Sequence, residues 1–315
     1  MELLSPNMWS DYQLIDSGDY EKLERFGLYR LRRPEPQAVW RKALSESEWG
    51  RQADAWFRKE KGKFGADGNE RGEWLLRPPM PQQWFITYSY KEMKLRFRLG
   101  LTAFKHVGIF PEQAVNWNYI FDAVRQFPGR PGVLNLFAYT GGASLAAKAA
   151  GADVVHVDSV RQVLHWSREN MEASGLDNIR WVCEDALKFV KREVKRGKRY
   201  RGIVLDPPAY GRGPEGEKWI LEDGIAELMD ACSKLADESG FFCVLNLYSM
   251  GFSSLVAENL MNDYFPTGKD ASSGELFMAD QAGRKLPLSV FCRGGMTRGL
   301  SPAFATDGFT TIGKG

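Results

Sequence analysis

The sequence has no long hydrophobic run and few cysteines. No stretch of about 18 apolar residues is present that could span a membrane. The first residues also lack the charged and then apolar pattern of a secretory signal. We therefore expect a cytoplasmic protein with no membrane association. The 4 cysteines lie far apart without a C-x-x-C pair, which argues against a zinc ribbon and against a disulfide framework.

Histidine and net charge are equally scarce. His106, His156 and His165 are the only histidines, and they do not cluster. Neither a histidine metal site nor a Ser-His-Asp triad is predicted, and we expect no metal. The net charge of +2 is too small to identify a nucleic acid as the partner. The substrate must therefore be inferred from local motifs.

The chain divides into two regions of different composition. Its 315 residues exceed a typical single domain of about 100–200 residues. We predict a β-rich N-terminal domain over 1–110, a larger domain over 111–295 and a C-terminal tail over 296–315. Within the first domain, the alternating runs 84–90 and 94–99 predict strands. The segment 59–72 is rich in glycine and charge, which predicts an exposed loop.

The N-terminal region interleaves aromatic residues with lysine and arginine and is mildly basic. This mixture suits RNA, because rings stack on unpaired bases and cations contact phosphates. Each aromatic residue also has an ordinary explanation as part of a hydrophobic core, and each cation as part of a solvated surface.

From Val133 onward, apolar strands alternate with helical stretches. This order predicts a parallel sheet that is covered by helices on both faces. The predicted strands are 133–137, 154–158, 179–183, 202–206 and 241–246, followed by a hairpin formed by 275–279 and 288–292.

The first strand of this sheet leads into a turn with two adjacent glycines, Gly141 and Gly142. Such a turn allows a ligand to approach the backbone closely. Asp158 ends the next strand 17 residues beyond Gly141, near the offset of about 20 at which an acidic side chain accepts hydrogen bonds from a ribose. The G-x-G-x-x-G spacing that frames a pyrophosphate is missing. A ligand with a ribose but no phosphate, such as S-adenosylmethionine, therefore fits better than a dinucleotide.

A second acidic residue, Asp185, follows the third strand. Its carboxylate, or the backbone amide of Ala186, could contact an adenine. The same position suits a helix N-cap, and the two roles can coexist.

The run from Asp206 to Tyr210 reads Asp-Pro-Pro-Ala-Tyr and ends the fourth strand. Two consecutive prolines enforce a rigid, extended turn at the sheet edge where ligands bind in this topology. Asp206 could accept a hydrogen bond from a base amino group, and Tyr210 could stack on a flipped-out ring. The carbonyls of Pro207 and Pro208 are predicted to be free. A plain loop turn is the alternative.

Taken together, these motifs resemble the class I S-adenosylmethionine-dependent ribosomal RNA methyltransferases of the large subunit. The resemblance spans roughly 105–292 and rests on the runs 135–142, 157–158, 184–185 and 206–213. It implies an α/β fold, with a Rossmann-like seven-stranded sheet ending in an antiparallel hairpin and a smaller β-rich domain before it. It also implies S-adenosyl-L-methionine as the cofactor and a base of RNA as the methyl acceptor, with ribosomal RNA as the expected substrate.

The resemblance also implies roles for individual residues. Phe110 and Gln113, in a segment similar to the family's entry into the cofactor domain, would lie near the methionine end of the cofactor. The full set of implied cofactor-binding residues is Phe110, Gln113, Asn135, Phe137, Ala138, Thr140, Gly141, Gly142, Asp158, Ser159, Asp185 and Ala186. The residues implied to face the reacting group are Asp206, Pro207, Pro208 and Tyr210.

Two departures from the family pattern leave the methylated atom open. Related enzymes that act on cytosine carbon-5 use a cysteine after the fifth strand, where this chain has Asn246, and Cys243 is better interpreted as a buried structural thiol. Enzymes that methylate amino groups place the aromatic residue directly after the second proline, whereas Ala209 intervenes here. Arg212 and the basic segment 188–201 could contact phosphate or be solvated.

Two other functions remain open from the sequence. A methyltransferase of small molecules or proteins would share the cofactor motifs. A noncatalytic RNA-binding protein could retain the same fold.

Overall fold

An eight-stranded and a five-stranded β-sheet organise the computed structural model of the chain, which describes residues 1–6, 9–64, 70–248, 251–265 and 271–297. The predicted C-terminal tail lies outside these residues except for its first two positions. Of the predicted loop 59–72, residues 65–69 also lie outside them. The flanking parts of that loop are strands that pair with each other, so the prediction of a loop there is wrong.

The first hundred residues are mostly β-structure. Their elements are β1 (Glu2–Leu4), β2 (Tyr12–Gly18), β3 (Glu21–Phe26), β4 (Tyr29–Pro34), α1 (Glu46–Gln52), β5 (Ala55–Phe64), β6 (Glu70–Leu76), β7 (Gln83–Tyr90) and β8 (Met93–Gly100). Strands β2 to β6 form the five-stranded sheet in sequence order, and β7 pairs with β8 as a hairpin. Alternate side chains of β7 and β8 are buried, which confirms the two strands predicted from their alternation.

The remaining elements alternate between strands and helices. They are a 3₁₀ turn (Pro111–Gln113), α2 (Ala114–Val124), β9 (Gly132–Leu136), α3 (Gly142–Ala149), β10 (Asp153–Asp158), α4 (Arg161–Ala173), β11 (Ile179–Cys183), α5 (Ala186–Lys195), β12 (Gly202–Leu205), β13 (Tyr210–Arg212), β14 (Lys218–Ile220), α6 (Leu221–Ser233), β15 (Gly240–Leu247), α7 (Ser254–Tyr264), β16 (Ser272–Ala279) and β17 (Lys285–Thr297).

The large sheet has the order β1-β16-β17-β15-β12-β9-β10-β11. Strands β9, β10, β11, β12 and β15 are parallel, and β17 runs antiparallel to both β15 and β16. This is the predicted α/β, Rossmann-like sheet with a closing hairpin, preceded by the predicted β-rich region. The strand order reverses beside β9, and ligands bind at the carboxyl ends of strands at such a point.

One strand was not foreseen in this sheet. The sequence predicted seven strands, but β1 adds an eighth by pairing in parallel with β16. It covers backbone groups that would otherwise leave β16 as an open edge. Leu4 packs beside a small buried cluster of Val115, Leu276 and Phe291. The first residues of the chain therefore lie in the large sheet, although they precede the five-stranded one.

The two faces of the large sheet are covered by different partners. Side chains of α2, α3 and the N-terminal hairpin form one continuous core with one face, and side chains of α5, α6 and α7 cover the other. Cys243 is fully buried in the second core, as predicted for a structural thiol. No helix in the described part of the chain is long and apolar enough to cross a membrane.

Asp16 ties the N-terminal sheet to the large one. It is 1% exposed and accepts hydrogen bonds from Trp49 Nε1 at 2.7 Å, from the Leu44 amide at 2.9 Å and from the Ala43 amide at 3.2 Å. The guanidinium of Arg284, in the turn between β16 and β17, pairs with the same carboxylate. A buried carboxylate with this many donors is a structural element rather than a surface charge.

Replacing this carboxylate should destabilise the fold. Asp16→Ala leaves the buried Trp49 indole and two backbone amides without their acceptor, and it removes one of the two carboxylates that pair with Arg284. We therefore expect a loss of about 3–5 kcal/mol in the free energy of unfolding. Glu73→Ala, which breaks an exposed ion pair with Arg58, should cost only about 0–1 kcal/mol. Urea denaturation measures both variants, and similar midpoints for the two would contradict this role of Asp16.

Candidate active site

A cleft opens at the carboxyl ends of β9, β12 and β15. It contains about 550 Å³ of space between the protein atoms, part of which is open to solvent. Nine of the residues implied by the resemblance line it: Phe110, Gln113, Asn135, Phe137, Ala138, Thr140, Gly141, Gly142 and Asp206. The other seven, Asp158, Ser159, Asp185, Ala186, Pro207, Pro208 and Tyr210, do not contribute to its walls.

The turn between β9 and α3 forms one wall and has an unusual backbone. Phe137, Tyr139 and Gly141 adopt left-handed conformations, with φ of 54°, 48° and 97°. Non-glycine residues in this region cost about 1–3 kcal/mol each and cluster at ligand sites. The surrounding structure holds the turn in place, because Thr140 Oγ1 donates to Gly108 O at 2.7 Å and Ser167 Oγ donates to Tyr139 O at 2.6 Å.

Asp158 takes part in holding this turn. Its carboxylate accepts hydrogen bonds from the amides of Tyr139 and Val160, both at 2.9 Å. Burial raises the pKa of Asp158, and these amides partly offset that effect. Asp158, at the end of β10, therefore fixes the backbone of the turn that lines the cleft. Ser159 follows it directly, and the Ser159 carbonyl accepts a long contact of 3.6 Å from Cys183 Sγ.

Two other predicted positions have clear local roles. Asp185 caps α5 by accepting from the Lys188 amide at 2.9 Å, and Ala186 is the first residue of that helix. Asn135 is 1% exposed and donates to Ser144 Oγ at 2.9 Å, which joins β9 to α3. The structural alternative that the sequence offered for Asp185 is thus observed.

Gly142 permits close packing behind the turn. A Cβ atom built at this position would lie 2.5 Å from the Trp117 indole ring. Trp117 is itself buried and lines the cleft. Only glycine fits here without a displacement of the helix start or of the ring.

Asp206 marks the opposite end of the cleft. Its Oδ1 accepts from Asn246 Nδ2 at 2.8 Å, and Ser289 Oγ donates to Asn246 Oδ1 at 3.0 Å, which fixes the orientation of the amide. Burial raises the pKa of Asp206 to about 7; the Asn246 hydrogen bond opposes this shift, and the charge of Glu112 adds to it. The carboxyl group can therefore change protonation state near neutral pH.

The prediction of a free Pro208 carbonyl is wrong. After the two prolines the chain forms the short β13–β14 hairpin, which the sequence did not reveal. This hairpin returns Trp219, whose Nε1 donates to Pro208 O at 2.7 Å. Pro207 is buried, Pro208 is exposed and Tyr210 is half-buried. Trp219 therefore stabilises the turn through this hydrogen bond. Its ring centre also lies 5.0 Å from that of Phe137.

Two site residues were missed by the sequence reasoning. Tyr248 donates to Glu112 Oε1 at 2.9 Å and accepts from Gln113 Nε2 at 3.1 Å. The Tyr248 ring lies 5.2 Å from Phe110, which in turn lies 5.4 Å from Tyr139. Glu112 is 2% exposed, and burial raises its pKa. The sequence does indicate Tyr248 by its position, because this residue directly follows the last parallel strand, β15, at the edge of the sheet where ligands bind.

Cations from the N-terminal region approach the same side of the cleft. Arg33 pairs with Glu24 and donates to the Lys105 carbonyl at 3.1 Å, and Lys22 pairs with Glu35. No described carboxylate lies within 4 Å of the Lys105 ammonium. His106, next in the chain, contacts the Phe110 ring at 5.3 Å. Burial lowers the pKa of Lys105; the charge of Glu35 opposes this shift, and neighbouring cations add to it.

No group of three or more His, Cys, Asp or Glu side chains within the described ranges is arranged to hold a metal ion.

Comparisons with known proteins match this architecture. The sequence model of the S-adenosylmethionine-dependent methyltransferases matches residues 26–235. A crystal structure of an S-adenosylmethionine-dependent methyltransferase from Agrobacterium tumefaciens superposes with a TM-score of 0.84 at 38% identity, covering 93% of each chain.

Curated relatives match over shorter stretches. Ribosomal RNA large subunit methyltransferase K/L of Shewanella frigidimarina is 30% identical over 154 residues, which are 48% of this chain and 21% of that protein. Ribosomal RNA large subunit methyltransferase I of Aeromonas salmonicida is 33% identical over 118 residues, 36% of this chain and 27% of that protein. The match thus spans about a quarter of these relatives' length. By its sequence and its fold, the chain belongs to the S-adenosylmethionine-dependent methyltransferase family.

Proposed function

We propose that the protein transfers a methyl group from S-adenosylmethionine to a base of RNA, and that this RNA is ribosomal. The observation that carries the proposal is the position of Asp206, followed by its proline turn, in the cleft. Lys105 is the neighbour in sequence of His106, whose ring contacts the cleft residue Phe110. The names of the two curated relatives support an RNA acceptor. We propose that this methyl transfer takes place in the cytoplasm.

The lining of the cleft fits the cofactor in chemistry. We infer that Asp158, Asp185 and the Ala186 amide face the adenosine, while Phe110, Gln113 and the turn 137–142 face the methionine. When bound, the cofactor supplies an electrophilic methyl group on a positively charged sulfur. The protein contributes position and electrostatics.

Asp206 is suited to orienting the acceptor. One of its oxygens is engaged by Asn246, and no other described residue donates to the carboxylate. The second oxygen can therefore accept a hydrogen bond from an N–H group of a base. Tyr210, half-buried beside the turn, offers an aromatic face for stacking.

The acceptor atom should carry its own lone pair. A thiolate that would activate a ring carbon is not available from Cys243, because this thiol is fully buried in β15 and burial raises its pKa well above the ordinary value. A ring nitrogen, an amino group or an oxygen needs no such activation. We infer one of these as the methylated atom.

The direct experiment measures transfer of labelled methyl from S-adenosylmethionine to total RNA of cells that lack the protein. We expect label in the ribosomal RNA fraction at one position. Label confined to protein or small molecules would overturn the RNA proposal. Cofactor binding without any transfer to RNA would argue against it as well.

Gly142→Ala should weaken cofactor binding. The added methyl group would overlap the Trp117 ring, so the turn or the indole must move and the cleft wall with it. We expect a loss of about tenfold in affinity, or about 1.4 kcal/mol, in calorimetric titration. Gly50→Ala is the matched control because nothing lies within 4 Å of its Cβ position. Equal affinities of the two variants would remove the turn from the cofactor site.

Asn246→Ala should shift the pH dependence of methyl transfer. Loss of the Asn246 N–H removes the hydrogen bond that lowers the Asp206 pKa, so that pKa rises further above about 7. If the carboxylate is the active form, the rate increases with pH, and its midpoint should move upward by about one unit. Single-turnover rates across pH measure this shift.

Ser289→Ala is the control for that shift. It removes only the hydrogen bond from Ser289 to the Asn246 amide oxygen, and the Asn246 N–H that donates to Asp206 stays in place. A rate profile of Asn246→Ala that coincides with that of the unchanged protein would exclude Asp206 as the titrating group.

Lys105→Gln should weaken RNA binding and leave cofactor binding unchanged. Removing one phosphate contact should reduce the slope of log affinity against log salt by about 0.7–0.9. Lys234→Gln is the control. Lys234 directly follows α6, at the edge of the sheet opposite to the cleft, and it pairs with Asp230. Equal salt slopes for both variants would place the RNA elsewhere.

A further inference from the structure

A continuous chain of polar side chains runs from a buried arginine to the wall of the cleft. Arg293, in β17, is 5% exposed, and its Nη1 donates over a long distance of 3.4 Å to Asn116 Oδ1. Asn116 Nδ2 donates to Gln113 Oε1 at 2.9 Å. Gln113 Nε2 donates to Tyr248 at 3.1 Å, and Tyr248 donates to Glu112 Oε1 at 2.9 Å. Four hydrogen bonds thus point in one direction.

The chemistry of Arg293 sets this direction. An arginine can only donate hydrogen bonds, so the Asn116 oxygen must face it and the Asn116 nitrogen must face Gln113. The Gln113 nitrogen then faces Tyr248. Without the arginine, both amides could reverse. Burial raises the pKa of Glu112, so a protonated Glu112 could donate at the other end of a reversed chain.

The direction decides what the cleft presents to a ligand. Gln113 and Asn116 both line the cleft, and each amide nitrogen carries a second hydrogen for which the described residues provide no acceptor. The two residues lie at the start of α2, where the helix dipole favours a negative charge. Among the described residues that line the cleft there is no lysine or arginine. An anionic group there must therefore be held by neutral N–H donors.

We propose that Gln113 and Asn116 hold the carboxylate of the cofactor's methionine moiety through these N–H groups, and that Arg293 is the positioning residue that keeps them directed at it. Arg293 does not line the cleft. Its contact with the chain of side chains is Asn116; the same Nη1 also donates to the Val115 carbonyl at 3.4 Å. The Phe291 ring lies 5.0 Å from the guanidinium.

The test compares the affinities for S-adenosylmethionine and for decarboxylated S-adenosylmethionine by calorimetry. The unchanged protein should prefer the carboxylated ligand. In Arg293→Met that preference should fall about tenfold, mainly through weaker binding of S-adenosylmethionine. Arg293→Lys, which can also only donate, should restore part of the preference. A preference that stays unchanged in folded Arg293→Met would overturn the proposal.

Two further variants separate this role from a purely structural one. Asn116→Asp keeps the side-chain shape but replaces the donating nitrogen with an oxygen, so the preference should be lost even if Arg293→Met does not fold. Phe291→Leu should lower the urea midpoint and leave the preference unchanged. Equal weakening of both ligands in Asn116→Asp and Arg293→Met would show that the chain supports the fold only.

Discussion

The turn between β9 and α3 is the constraint on which the site depends. Its left-handed residues are costly in isolation and persist because separate parts of the fold hold them. Asp158 holds the Tyr139 amide, Ser167 holds the Tyr139 carbonyl, and Asn170 Nδ2 donates to the Thr140 carbonyl at 2.9 Å. These three residues come from the end of β10 and from α4. Two elements that come after α3 in the chain, β10 and α4, therefore impose the shape of the turn.

The same turn joins the two halves of the site mechanically. On one side, Phe137 packs against Trp219, and Trp219 holds the second proline carbonyl of the acceptor turn. On the other side, Tyr139 packs against Phe110, which leads to Tyr248. A displacement of the turn would thus move both Phe110, which lines the cleft, and the proline turn after Asp206. Such rigid coupling suits a reaction whose catalysis rests on holding donor and acceptor at the right distance.

The parts of the structure that sequence could predict are those with a local cause. Strands buried on both faces are continuous apolar runs, and Asp185 stands where a helix cap is needed, so both were predictable. Strands β1, β13 and β14 have three residues each, too few for any periodicity. Their formation depends on partners distant in the sequence or on a turn. The contact between Tyr248 and Glu112 joins residues 136 positions apart, and no local pattern indicates it.

The cleft and its surroundings differ in charge, and the net charge of the whole chain does not reveal this difference. For this reason the net charge did not identify the substrate. The described walls of the cleft contain no lysine or arginine. A cofactor with a positively charged sulfur gains nothing from a cation beside it, and neutral N–H groups can still bind its carboxylate. A phosphate backbone has the opposite requirement. The cations lie outside the cleft, where Arg33 and Lys22 form ion pairs with acids. Lys105 interacts electrostatically with Glu35 but forms no ion pair within 4 Å with a described carboxylate. A cation of this kind near the cleft can direct an anionic substrate there while the whole chain stays near neutrality.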